Sequence, residues 1–72
     1  MSETVIFEKF GTRVKELRLA AGHSQESFAF HCGIDRTYIS SVERGRRNVS
    51  LKNIERIAKA LDIDIASLMA GI

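Results

Sequence analysis

Four times in this 72-residue chain a small polar residue stands between two side chains able to pack on each other across it, and a helical period follows. Ser24 has His23 before it and Phe28 four positions on, Asp35 has Ile34 and Ile39, Ser50 has Val49 and Ile54, and Asp64 has Ile63 and Leu68. At such an N-cap the side-chain oxygen accepts a hydrogen bond from a first-turn backbone N–H, while the flanking pair sets how the chain enters the helix. Only His23 is a poor member of its pair. Four helix starts so close together leave short connections and no room for a sheet.

A longer helix is expected before the first of these starts, from about Thr4 to Ala21, because Phe7, Phe10, Val14, Leu17 and Ala21 recur three or four apart. Gly22 then stops it. The helices capped by Ser24 and Asp35 are short. In the fourth, Ile54, Ile57, Ala58 and Leu61 form the stripe of a helix buried on one side. The last, about Ile65 to Ala70, is barely two turns long and needs a surface to lie on. With no proline, no internal repeat and no sustained alternation, the fold class is all-α with five helices.

A chain this short buries only about 60% of its unfolded surface, so residues 1–72 are expected to form one domain around one core. No stretch approaches the ~20 apolar residues of a membrane span. The N-terminal MSETVIFEKF lacks the basic, apolar, small order of a signal peptide, and the expected location is cytoplasmic. Cys32 is the sole cysteine, which excludes an internal disulfide and suits a reducing compartment. Stability must then come from packing, and a single core of this size seldom supplies more than about 3–5 kcal/mol. Association of two copies would add to it.

Enzyme chemistry is not expected, since no G-x-S-x-G, glycine-rich phosphate loop or usefully spaced carboxylate pair occurs. A core-filled domain of this size also leaves little wall for a small-molecule pocket of ~300 Å³. His23, His31 and Cys32 do not fall at zinc-ligand spacings, so neither metal nor cofactor is expected, and Cys32 reads as a small buried hydrophobe. Charge is more telling. From Arg36 to Lys59 seven basic residues face two acidic ones, a local net charge of +5 in a chain whose total is +2. A solvated face would account equally well for that excess alone.

The informative stretch is SQESFAFHCGIDRTYISSVE, two short helices joined around Gly33. Ala29 is small where two helices would cross, and Gly33 permits the left-handed backbone that ends the first. Phe28, Cys32, Ile34, Ile39 and Val42 supply an apolar side. At 100° per residue, Thr37, Ser40, Ser41 and Arg44 then point away from Ile39 and Val42. Short hydroxyls and arginines suit base edges and phosphates in a major groove, and Arg36 at the helix start can reach a base edge.

Taken with LRLAAGHSQESFA, CGIDRTYIS and RTYISSVERGRRNVSLKNI, the chain resembles the Cro/repressor-type (XRE) helix-turn-helix family over roughly Phe10 to Met69, and most closely its restriction-modification controller proteins. The resemblance implies a compact, lambda-repressor-like five-helix domain whose second and third helices form the helix-turn-helix. It implies base contacts from Arg36, Thr37, Tyr38, Ser40, Ser41 and Arg47, and phosphate contacts from Gln25, Arg44, Arg46, Asn48 and Lys52. It also implies a structural ion pair between Arg18 and Glu43. The implied partners are double-stranded DNA and a second copy of the chain, and the resemblance admits RNA polymerase as a third.

The terminal set Ile63, Ile65, Leu68, Met69 and Ile72 suits both core and dimer interface, and shared use is expected. Phe30 stands where the family has an exposed charge; the expectation is that it packs on the N-terminal segment around Ile6, the other outcome being a partner contact. Two rival functions remain: a repressor of phage or mobile-element genes, and a protein-interaction module that has kept the fold but lost DNA binding.

Overall fold

The computed structural model describes residues 4–72, which form α1 (Val5–Ala20), α2 (Gln25–Cys32), α3 (Arg36–Glu43), α4 (Leu51–Ala60) and α5 (Ile65–Leu68). Among the described residues there is no strand. The four capped starts form as the residue pattern predicts. Ser24 accepts from the Ser27 N–H, Asp35 from Thr37, Ser50 from Asn53 and Asp64 from Ser67. His23 fills its place before Ser24 by a polar route: its ring lies 5.9 Å from that of Phe28, and its Nδ1 is 3.1 Å from the Ser27 hydroxyl.

α1 ends where Gly22 takes a φ of 80°, and the His23 N–H bonds back to the Arg18 carbonyl at 3.1 Å. Phe10 and Val14 of α1 enter the core with Phe28, Ala29 and Cys32 of α2, Ile39 and Val42 of α3, Ile57 and Ala58 of α4 and Leu68 of α5. The apolar stripe did not foresee two further buried positions on α1, Gly11 and Arg18. A Cβ on Gly11 would collide with the Val42 carbonyl oxygen and lie 2.9 Å from that of Glu43, so α1 crosses the end of α3 backbone against backbone. Burial of Cys32 pushes its thiol up to about 11, because the thiolate would be poorly solvated there.

α5 is shorter than the segment expected from the sequence, stopping at Leu68 instead of continuing to Ala70. Its end is held from across the chain: Arg13 of α1 donates from Nε to the Leu68 carbonyl at 3.2 Å and from Nη2 to that of Ser67 at 2.8 Å. Helix-terminal carbonyls lack partners within the helix, and a guanidinium supplies two donors in one plane.

Three further expectations are corrected. Leu68 is 0% exposed and belongs wholly to the core, so it offers nothing to a partner. Phe30 does not pack on Ile6: it is 83% exposed. Its place on the outer side of α2, opposite Phe28 and Cys32, keeps it from α1. Ile6 instead lines a cleft of about 110 Å³ with Phe7, Phe10 and Arg47. The third correction concerns Ser41 and belongs to the surface described next.

Candidate nucleic-acid interface

The turn between α2 and α3 is built as the sequence implied. Gly33 adopts φ 68° and ψ 31°, and the Ile34 N–H bonds to the Ala29 carbonyl at 3.1 Å, closing α2. Asp35 then starts α3 by accepting from the Thr37 N–H at 2.7 Å. Ala29, nearly inaccessible, lets the two helices approach. With Ile39 and Val42 buried against the core, Arg36, Thr37 and Arg44 are exposed and Ser40 is half-buried.

Ser41 is the correction. It is 9% exposed, and its hydroxyl donates to the Thr37 carbonyl one turn earlier at 3.0 Å. The residue lies on the flank of α3, not its crest, and the hydroxyl hydrogen is spent on its own helix. Base contact by Ser41 is withdrawn.

Past α3 the chain turns through Gly45, whose φ is 73° and whose Cβ, were there one, would lie 2.8 Å from the Glu8 Cα. The Arg46 N–H bonds to the Ser41 carbonyl at 3.0 Å, so the loop leaves α3 in a set direction. Arg46, Arg47 and Asn48 follow, all exposed, with Lys52 exposed in the first turn of α4. The Arg47 guanidinium lies 5.1 Å from the centre of the half-buried Tyr38 ring, a cation–π contact that ties the loop to α3. Arg44 donates weakly to the Ser40 carbonyl at 3.4 Å. Among the described residues no carboxylate pairs with Arg36, Arg44, Arg46, Arg47 or Lys52. The exposed side chains of α3 and of the loop after it form a polar ridge whose arginines have no ion-pair partner.

Behind the ridge, Arg18 and Glu43 meet. Arg18 donates from Nε to Glu43 Oε2 at 2.6 Å and from Nη2 to Oε1 at 3.0 Å, and its Nη1 reaches the His23 carbonyl at 2.9 Å. Gln25, for which a phosphate contact is expected, also bonds within the fold: its Nε2 donates to Glu43 Oε1 at 3.1 Å. Sequence reasoning had no signal for that bond, which joins residues on different helices.

Of the terminal apolar set, Ile63, Met69 and Ile72 are half-buried against the core and Ile65 is exposed. Leu51 was missed by the sequence reading. It follows the Ser50 cap directly, near the edge of the α4 stripe, and periodicity alone would assign it to the core; in the fold it is 82% exposed. Among the described residues no helix is long and apolar enough to cross a membrane, and no group of three or more side chains could hold a metal ion.

Comparison with known proteins agrees with this geometry. A helix-turn-helix family model matches residues 14–68. Control protein C.BamHI of Bacillus amyloliquefaciens is 52% identical over 83% of this chain and 75% of its own length. Control protein C.MunI of a Mycoplasma species is 48% identical over 89% of this chain and 88% of its own. Among solved structures, the restriction-modification controller protein C.AhdI of Aeromonas hydrophila superposes with a TM-score of 0.88 at 54% identity, covering 90% of this chain and 98% of that one.

Proposed function

The chain belongs to the helix-turn-helix family, and from that premise we propose that two copies of it together read a near-palindromic DNA operator. It is a DNA-binding transcription regulator and not an enzyme. In the proposed complex α3 of each copy enters a major groove, the two grooves lying one helical turn, ~34 Å, apart. Arg36 and Thr37 face base edges, with Tyr38, Ser40 and Arg47 at bases or adjacent backbone. Gln25, Arg44, Arg46, Asn48 and Lys52 hold phosphates. Phosphate contacts set register, while each good bidentate base contact adds about 1–3 kcal/mol of discrimination.

The observation that carries this reading is the ridge itself: exposed arginines with no carboxylate partner, flanking a helix face of hydrogen-bonding side chains. Affinity should fall steeply with salt as phosphate counterions are released. The dimer surface we propose comprises Ile65, Ile63, Met69 and Ile72, with Leu51 added and Leu68 removed. Similarity to the controller proteins supports control of a restriction-modification system, with RNA polymerase as the further partner where binding activates.

Selection of bound duplexes from random DNA tests the reading. A defined, near-palindromic site is expected. Arg36→Ala with Arg47→Ala should abolish binding to it while sedimentation still reports a dimer. Undiminished DNA affinity in that variant would favour a surface for a protein partner.

A further inference from the structure

We propose that Glu43 is a positioning residue for DNA binding, held by Arg18 so that it orients the Gln25 amide with one N–H free for a backbone phosphate. The inference rests on the reading of Gln25 as a phosphate contact.

The buried carboxylate makes more bonds than an ion pair requires. Arg18 alone occupies both oxygens, yet Glu43 Oε1 also accepts from Gln25 Nε2 at 3.1 Å. The Glu43 side chain is 2% exposed and that of Arg18 is 7% exposed, so the position of this acceptor is fixed by packing and by Arg18. Gln25, by contrast, is only half-buried and is the first residue of α2.

An ionised carboxylate only accepts hydrogen bonds, and a glutamine side chain carries one accepting and one donating end. Contact with Glu43 therefore decides which end of Gln25 turns inward: it must be Nε2. That nitrogen has two hydrogens, and the trigonal geometry directs the second away from the first. The second N–H stands at the start of α2, where first-turn backbone N–H groups also favour an anion. A glutamine released from Glu43 could present its carbonyl oxygen there and repel a phosphate. Arg18 fixes the same corner from the other side, since its Nη1 holds the carbonyl of His23, one residue before the Ser24 cap. The α2 start and the α3 end are thus locked together around one carboxylate.

The test is a cycle between Gln25→Ala and the paired change Arg18→Met with Glu43→Leu. Replacing a buried ion pair by apolar residues of similar size commonly preserves the fold. The probe is the duplex that the unaltered protein selects from random DNA. Gln25→Ala should weaken binding about tenfold for each copy, the lower end for a hydrogen bond to a charged group, and so about a hundredfold for the dimer on its two half-sites. The paired change should weaken it comparably, and the two together no further. The dependence of affinity on salt should keep its slope, because no cation has left the interface. A general loosening of the domain would lower that slope.

If the paired variant binds as tightly as the unaltered dimer while Gln25→Ala is weakened, positioning by Glu43 is overturned and the phosphate contact stands. If Gln25→Ala binds normally, both fall. Should the paired variant fail to fold, NMR of the unaltered protein decides: one Gln25 side-chain amide proton should be protected from exchange in the free dimer and the other only in the complex. Equal exchange of both in the free dimer overturns the proposal.

Discussion

Gly11 of α1 passes so close to the Val42 carbonyl oxygen of α3 that no β-carbon fits between them. Glycine inside a helix ordinarily costs up to ~1 kcal/mol relative to alanine, so Gly11→Ala would stabilise an isolated α1. In the folded domain the opposite is expected. The clash is with backbone, which cannot rotate aside, and overpacking of this kind costs about 1–3 kcal/mol. Urea unfolding checks the sign. A more stable Gly11→Ala variant would mean that α1 and α3 are further apart than described.

Removing one partner of the Arg18–Glu43 pair should be worse than removing both. Glu43→Ala strands a buried guanidinium and should destabilise the domain by about 3–5 kcal/mol, whereas Arg18→Met with Glu43→Leu should lie near the original stability. Thermal melts of the two variants make the comparison. Equal losses would show that the side chains act by volume and not by charge.

Cys32 should be chemically quiet in the folded protein. Its thiol is raised to about 11 by burial, so the reactive thiolate is scarce at pH 8 and alkylation by iodoacetamide should be slow until denaturant is added. The linkage has a definite sign. A thiol that binds its proton more tightly when folded contributes stability that is intact below its unfolded pKa and is lost as pH rises through the folded value. Unfolding free energy should therefore decline above about pH 9, and Cys32→Ala should remove that part of the decline.

α5 depends on two remote or terminal supports. Asp64 caps its start, and the Ser67 backbone N–H followed by the Ser67 hydroxyl holds the Asp64 carboxyl below the usual carboxylate range. That support is present above the unfolded carboxylate pKa and is lost as pH falls through the depressed one. Arg13 holds the other end through the Ser67 and Leu68 carbonyls. Arg13→Met keeps much of the side-chain volume and removes both bonds, at about 0.5–1.5 kcal/mol each. If α5 carries the dimer surface, sedimentation should show weaker association in Arg13→Met at unchanged overall helicity. Undiminished association would detach Arg13 from dimerisation.

Much of the polar ridge is legible in the sequence. Ile39 and Val42 announce the inner side of α3, and helical phase then places Arg36, Thr37, Ser40 and Arg44 outside. Phase failed at Ser41, because a residue on the flank is exposed or covered according to what packs beside it. Leu51, near the edge of the α4 stripe and outside any expectation, is left uncovered for the same reason.

Helix starts are local chemistry: a cap oxygen and the N–H it accepts are two or three residues apart, so Ser24, Asp35, Ser50 and Asp64 define their helices unaided. The number of helices, the turn at Gly33 and the outward side of α3 follow from such short-range patterns. Contacts between distant residues are another matter. Gln25 meets Glu43 across 18 positions, Arg18 meets it across 25, and Arg13 reaches Leu68 across 55. No period in the chain encodes those distances; they exist only once the helices have packed. Packing therefore decided the orientation of the Gln25 amide, the inward fate of Leu68 and the exposure of Phe30.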